Sequence, residues 1–205
     1  MEFRWLHREQ EAEAIVVFGG WAVGPEVLDH LTGAYDVLFA SDYRDLNAGL
    51  PDLSSYDLVS LVAWSFGVAS YAHWQQGRDD PFARKVAVNG TLSPVNRRTG
   101  IPPVAMSKTI ETLSEDAYQL FLARVFNSRQ RRATIDVIAR QEELVAIEER
   151  GDALSICFDH VWVSADDKIF PAANQKRAWP QNKVRIIDAP HASFGQFDTW
   201  QEILA

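Results

Sequence analysis

The chain has 205 residues, 47% of them apolar, which is enough to bury one substantial core. Its formal net charge of −8 argues against general nucleic-acid binding, because that binding depends on cations that neutralise phosphates. No window reaches the apolar length that crosses a bilayer, and residues 1–5 lack the basic and apolar regions of a secretory signal, so we expect one cytoplasmic domain over residues 1–205 with no membrane partner.

Cysteine and histidine are too sparse for a disulfide or a metal centre. Cys157 is the single cysteine and has apolar neighbours, so we expect it in the core. The five histidines include no pair at helical spacing, and no cysteine cluster accompanies them. The sequence therefore predicts neither a metal nor a cofactor.

The first elements alternate between strand and helix. Residues 3–6 and 14–18 are predicted strands joined by an acidic turn, and the second leads into Gly19-Gly20-Trp21-Ala22. A helix over residues 25–31 and a strand over residues 35–40 follow. The glycine pair indicates either a plain turn or a loop whose backbone approaches a substrate closely.

An apolar strand over residues 56–63 brings Ser65 into a turn of small residues, and a helix over residues 66–74 follows. Glycine-x-serine-x-glycine at such a junction is typical of a nucleophile elbow, in which the serine hydroxyl projects above the sheet. Here Ala63 replaces the first glycine and Gly67 keeps the second. The alternative is a buried strand followed by an ordinary helix, with Ser65 as its N-cap.

The pattern changes after a short strand over residues 84–90. Residues 101–150 are predicted to be a helical cap inserted into the domain, with Ser107 and Ser114 as N-caps. Two apolar stripes are expected on its helices, namely Ala117, Leu120, Phe121 and Val125, and then Ile135, Ile138, Ala139 and Val145. A simple pair of packed helices is the alternative to a cap.

Two further strands, over residues 158–163 and 184–187, end next to polar residues, and a helix over residues 194–204 closes the chain. Repeated alternation of strands and helices predicts a mostly parallel sheet with helices on both faces. Together with the serine turn, this order predicts the α/β-hydrolase fold.

The order serine, acid, histidine points to a catalytic triad. A serine hydroxyl needs a base that takes its proton, and the base needs an acid that orients it. We assign these roles to Ser65, His191 and Asp167, with Asp166 as the alternative acid. The other four histidines, His7, His30, His73 and His160, are expected to be structural.

The oxyanion donors are predicted from the same pattern. One is the backbone N–H of Phe66, which follows the nucleophile, and the other is the N–H of Trp21 in the glycine loop.

Six motifs resemble a particular family, the short BioG-type esterases of the biotin pathway, which demethylate pimeloyl-[acyl-carrier protein] methyl ester. They are Phe18-Gly19-Gly20-Trp21, Ser41-Asp42-Tyr43-Arg44, Ala63-Trp64-Ser65-Phe66-Gly67-Val68, Asn89-Gly90-Thr91, Gly100-Ile101-Pro102 and Pro190-His191. The resemblance implies that Ser65 attacks the methyl ester, methanol leaves, and water releases a pimeloyl group still joined to its carrier by a thioester. Ala22 departs from the glycine often found in related loops.

The resemblance also implies an acidic acyl-carrier protein as partner, which the chain's own negative charge would repel. Four arginines of the predicted cap form a local basic patch suited to that carrier, namely Arg124, Arg129, Arg131 and Arg132, with Arg97 and Arg98 near its entrance. A solvated helix face is the alternative. Two other functions stay open: a carboxylesterase or acyl thioesterase without a carrier, and a non-catalytic binding protein.

Overall fold

The computed structural model describes residues 1–205. Its seven strands form one sheet in the order β1-β3-β2-β4-β5-β6-β7. The strands are β1 (Glu2–His7), β2 (Glu13–Phe18), β3 (Asp36–Ser41), β4 (Leu58–Trp64), β5 (Arg84–Val88), β6 (His160–Ser164) and β7 (Val184–Ile187). The edge strand β1 pairs antiparallel with β3, and all other pairs are parallel. This arrangement confirms the predicted α/β-hydrolase fold.

Both faces of the sheet are covered, and the side chains of β2 show why. Ala14, Val16 and Phe18 lie in one apolar core, whereas Ile15 and Val17 lie in a second core on the opposite face. A parallel strand buried on both faces needs apolar residues at every position, which explains the continuous apolar run in the sequence.

Six α-helices surround the sheet: α1 (Phe66–Gln75), α2 (Pro103–Thr112), α3 (Glu115–Val125), α4 (Val137–Arg150), α5 (Ala172–Ala178) and α6 (Trp200–Leu204). Single 3₁₀ turns occur at Pro25–Leu28, Gln181–Lys183 and Ser193–Gln196. Helix α1 packs into the first core, and α6 packs into the second. None of the helices combines the length and the apolar content needed to cross a bilayer.

Three helices, α2 to α4, lie between β5 and β6, and we call them the cap helices. Ser114 caps α3 as predicted, since its side chain accepts a hydrogen bond from the Ala117 N–H. The prediction for Ser107 is wrong, because this residue lies inside α2, which begins at Pro103. Proline is favoured in a first helical turn since its missing N–H would have no partner there.

The predicted apolar stripes of the cap are partly wrong. The side chains of Leu120 and Ile138 are 64% and 70% exposed. Two polar residues outside the predicted stripes, Tyr118 and Glu143, are buried instead, at 6% and 1% exposure. Burial of polar groups is tolerated when they are hydrogen-bonded, and periodicity of apolar residues cannot reveal such partners.

Other boundaries also differ from the predictions. The helix expected over residues 25–31 is a single 3₁₀ turn, and the one expected over residues 194–204 divides into a 3₁₀ turn and α6. A capping box of Thr199 and Glu202 starts α6 and explains that late beginning. Cys157 is exposed and does not belong to the core, because β6 begins only at His160.

Candidate active site

Ser65 lies at the sharp junction between β4 and α1. Its backbone has φ 60° and ψ −128°, a conformation that non-glycine residues rarely adopt and that costs on the order of 1–3 kcal/mol. Its N–H donates to the Val88 carbonyl at 2.9 Å, which ties the turn to β5. A Cβ atom at Gly67 would lie 2.2 Å from the Phe18 carbonyl oxygen, so only glycine fits there.

The Ser65 side chain does not cap the helix that follows it. Although Ser65 occupies the N-cap position of α1, its hydroxyl makes no capping hydrogen bond. The Ser65 Oγ instead lies 2.9 Å from His191 Nε2. The alternative interpretation of Ser65 as an ordinary N-cap is therefore wrong.

His191 is buried between Ser65 and Asp167. Its Nδ1 lies 2.8 Å from Asp167 Oδ2, and the two side chains are 2% and 0% exposed. An ionised carboxylate can only accept, so the proton belongs on Nδ1 and Nε2 is free to accept the Ser65 hydroxyl proton. This line of hydrogen bonds has the geometry of a serine–histidine–acid triad.

Asp167 is held by four hydrogen bonds. Its Oδ1 accepts the backbone N–H groups of Ile169 and Phe170, both at 2.8 Å. Its Oδ2 accepts the side-chain amide of Gln175 at 2.9 Å in addition to His191. These contacts fix the orientation of the carboxylate toward the imidazole.

Asp166 faces away from the triad. Its carboxylate is exposed and accepts the side-chain amide of Asn127 at 2.6 Å. Of the two adjacent aspartates, only Asp167 contacts His191.

Three residues that support the triad were not assigned a role from the sequence. Gln175 lies in α5, a helix that the pattern did not predict. The His191 carbonyl accepts hydrogen bonds from Asn89 Nδ2 at 2.8 Å and Trp64 Nε1 at 3.1 Å. Asn89 and Trp64 both lie in motifs of the resembled family, which was the one available signal.

The residues of the predicted oxyanion donors line the same narrow cavity as Ser65 and His191. Trp21 is 2% exposed, and its backbone N–H has no acceptor within the protein. Phe66 is the first residue of α1, where backbone N–H groups point out of the helix end. The cavity they share with Ser65 and His191 measures about 10 Å³, roughly the room one water needs.

A second cavity of about 90 Å³ adjoins this cleft and shares Trp21, Phe66, Phe121 and Ile169 with it. The cap helices supply most of its other apolar lining, and Arg124 and Lys168 also contribute to its wall. An apolar cavity with a few charged groups suits an extended acyl chain that ends in a polar group.

Two of the larger clefts, of about 390 and 660 Å³, lie on other faces of the molecule. Neither contains a hydroxyl group hydrogen-bonded to a histidine. Volume alone therefore does not identify the candidate active site, and the hydrogen-bonded line of Ser65, His191 and Asp167 singles out the narrow cavity instead.

The loop after β3 connects the sheet to the cap through charged groups. Hydrogen bonds from Arg44, which lies 2.6 Å from the carboxylate, lower the pKa of Asp42 to about 2. Arg140 of α4 lies 3.3 Å from Asp42 and also pairs with Glu143. Burial raises the pKa of Glu143, whose carboxylate accepts the Tyr43 N–H at 2.7 Å.

The four predicted carrier-binding arginines are exposed but differ in surroundings. Arg124 lines the 90 Å³ cavity that adjoins the active-site cleft. Arg132 pairs with Asp116 at 3.1 Å and Glu115 at 3.8 Å, so its charge is partly neutralised. Arg129 and Arg131 form no ion pair.

The remaining histidines lie away from the triad. His160 is buried, donates a hydrogen bond from Nε2 to the Ile203 carbonyl oxygen at 3.0 Å, and has a pKa lowered by burial. His7 lies with Glu9 and Glu11 in an exposed cluster at the end of β1. Exposed acidic clusters of this kind are common, and nothing else there indicates a metal ion.

Comparison with known proteins gives a consistent result. The family model described as pimeloyl-ACP methyl esterase BioG matches residues 1–203. The chain also superimposes on the crystal structure of BioG from Haemophilus influenzae with a TM-score of 0.89 and 30% identity, covering 100% of both chains.

Two relatives identified by sequence extend this comparison. An uncharacterized protein of Haemophilus influenzae is 32% identical over 215 residues, which is 95% of each chain. A malonyl-[acyl-carrier protein] O-methyltransferase of Bacteroides fragilis is 31% identical over 192 residues, which covers 87% of this chain and 39% of that protein. The present chain therefore corresponds to less than half of the Bacteroides protein.

Proposed function

Because this chain belongs to the BioG family of pimeloyl-ACP methyl esterases, we propose that it hydrolyses the methyl ester of pimeloyl-[acyl-carrier protein] methyl ester through a nucleophilic attack by Ser65. It is a carboxylic ester hydrolase with the α/β-hydrolase fold. The observation that carries the proposal is the buried line of hydrogen bonds that joins Ser65, His191 and Asp167.

The first half of the reaction forms an acyl-enzyme. His191 Nε2 takes the Ser65 hydroxyl proton as Oγ attacks the ester carbonyl, and Asp167 stabilises the resulting imidazolium. The N–H groups of Trp21 and Phe66 stabilise the negative oxygen of the tetrahedral intermediate. His191 then gives the proton to the departing methoxide, and methanol leaves.

The second half releases the product. A water loses a proton to His191 and attacks the acyl-enzyme carbonyl, and the tetrahedral intermediate collapses with return of the proton to Ser65 Oγ. The product is a free carboxylate at the far end of the acyl chain, with the carrier thioester unchanged. Selection between the two carbonyls is achieved by position, because only the distal ester reaches Ser65.

The partner in this proposal is an acyl-carrier protein docked on the cap helices. Arg124 and Lys168 stand in the wall of the 90 Å³ cavity, where guanidinium and ammonium groups suit a phosphate or carboxylate at the end of the chain. Arg129 and Arg131 add exposed positive charge beyond it. A local basic surface of this kind attracts an acidic partner although the whole chain carries −8.

The proposal is tested by comparing kcat/KM on pimeloyl-[acyl-carrier protein] methyl ester with that on a short p-nitrophenyl ester. A carrier-directed esterase should prefer the carrier-linked ester, and Ser65→Ala should remove both activities. Equal efficiency on both esters would favour a general carboxylesterase instead. No turnover of either ester by the wild-type protein would favour a non-catalytic binding protein.

A further inference from the structure

The loop Gly19-Gly20-Trp21-Ala22, which we call the oxyanion loop, is fastened to a cap helix by one tyrosine. Tyr118 of α3 donates its hydroxyl hydrogen to the Ala22 carbonyl at 2.8 Å. The Tyr118 side chain is buried, and burial raises the pKa of its hydroxyl, so the group remains a donor at neutral pH. This contact joins two segments 96 residues apart.

Ala22 needs an external contact because its backbone is strained. Its φ of 56° lies in the left-handed region, which an alanine enters at a cost of about 1 kcal/mol or more. Strained residues persist where the surrounding structure over-determines them, and they cluster at functional sites. The hydrogen bond from Tyr118 fixes the peptide group that follows Ala22.

The rest of the loop is held in the same way. The Trp21 indole N–H donates to the Arg140 carbonyl of α4 at 2.9 Å. The Tyr43 hydroxyl donates to the Gly19 carbonyl at 2.8 Å. The peptide N–H of Trp21 therefore lies between fixed points, and two of these points, Tyr118 and Arg140, belong to the cap helices.

We propose that Tyr118 is a positioning residue that, through Ala22, holds the Trp21 N–H where the oxyanion develops. The cap thereby contributes to the chemical step as well as to the shape of the 90 Å³ cavity, which we call the acyl cavity. The inference rests on the proposed serine mechanism. Because the oxyanion exists only in the transition state and intermediates, loss of this positioning should lower kcat and leave KM largely unchanged.

The test removes one oxygen atom. Tyr118→Phe keeps the ring that packs against Phe121 but loses the donor. Tyr35→Phe is the matched control, because the Tyr35 hydroxyl makes a hydrogen bond of the same 2.8 Å length to Gln201 at the opposite edge of the sheet. Both variants are assayed on a short p-nitrophenyl ester, which needs no carrier.

We expect Tyr118→Phe to lower kcat roughly 10- to 100-fold, because small displacements of an oxyanion donor are costly. Its KM and melting temperature should stay close to those of Tyr35→Phe. A trifluoromethyl ketone forms a tetrahedral adduct with serine. Its inhibition constant should rise by the same factor by which kcat/KM falls.

Several results would overturn the inference. A kcat within about twofold of wild type would do so, and so would a loss of activity with unchanged affinity for the ketone. If Tyr118→Phe fails to fold, Trp21→Phe, which removes the indole donor to Arg140, provides the test through kcat alone, because Trp21 also lines the 90 Å³ cavity and its truncation changes KM. An inactive wild-type protein would reject the proposed function, whereas an active wild type with an equally active Tyr118→Phe would reject only this positioning role.

Discussion

Asp167 and Asp166 are chemically identical neighbours with different surroundings. Asp167 is held by two backbone N–H groups, Gln175 and His191, while Asp166 is exposed beside Asn127. A carboxylate orients an imidazole only if its own position is fixed. The role proposed for Asp167 therefore depends on the turn and on α5 as much as on its own charge.

The roles of the triad residues can be tested one at a time. Ser65→Ala and His191→Ala should each lower kcat on the order of 10⁶-fold, because the members of a triad act as a unit. Asp167→Asn should leave more activity, with a loss of about 10⁴-fold, because the amide favours the wrong imidazole tautomer. Circular dichroism should report unchanged folding in all three variants.

Asp166→Asn is the matched control for Asp167→Asn, since it makes the same chemical change one residue away. Its activity should stay within about twofold of wild type, as expected for an exposed side chain. A damaging Asp166→Asn together with a harmless Asp167→Asn would reverse the assignment of the acid.

The residue types and order of the triad could be predicted from sequence because strand ends place side chains at one edge of a parallel sheet. Gln175 and Tyr118 could not be predicted in this way. Gln175 contacts Asp167, and Tyr118 contacts Ala22, because of how the helices pack in three dimensions. Neither pair has a characteristic spacing along the sequence.

The cap helices combine two properties. Tyr118, Glu143 and Arg140 connect them to the oxyanion loop and to the loop after β3. The loop between α3 and α4 carries the exposed Arg129 and Arg131, and Arg124 of α3 lines the acyl cavity. The cap therefore lies between the site where we expect the carrier to dock and the site of the chemistry.

The docking role of the cap can be tested by reversing its unpaired charges. Arg129→Glu combined with Arg131→Glu should lower kcat/KM for the carrier-linked ester roughly tenfold at low salt, because electrostatic steering of an acidic partner is lost. High salt should reduce the difference. Arg132 is left unchanged because a glutamate there would face Glu115 and Asp116.

The control for this test reverses two cations at the opposite edge of the sheet. Arg8 follows β1, and Lys183 precedes β7, so both lie far from the strand ends that carry the triad. Arg8→Glu with Lys183→Glu produces the same change in net charge and should have little effect on carrier-linked turnover. Equal losses in the two double variants would show that net charge, and not a docking surface on the cap, controls the encounter.

The sequence predicted the strands of the whole molecule better than its helices. A parallel strand covered on both faces is a nearly continuous apolar run, as in β2 from Ala14 to Phe18 and in β4, where only Ser60 is polar, and such runs are easily recognised in a sequence. The cap helices bury polar residues and expose Leu120 and Ile138, so their apolar periodicity is misleading. The short helix α5 and the 3₁₀ turns depend on tertiary contacts more than on local pattern.

The proposed reaction requires that the protein cleave the distal methyl ester and spare the thioester of the same substrate. Intact-mass spectrometry of the carrier protein after incubation with wild-type enzyme and with Ser65→Ala tests it most directly. Wild-type enzyme should convert the carrier to the species that has lost only the methyl group, with the acyl chain still attached, and Ser65→Ala should leave it unchanged. Release of the whole acyl chain to give the bare carrier, or demethylation by Ser65→Ala, would contradict the proposed reaction.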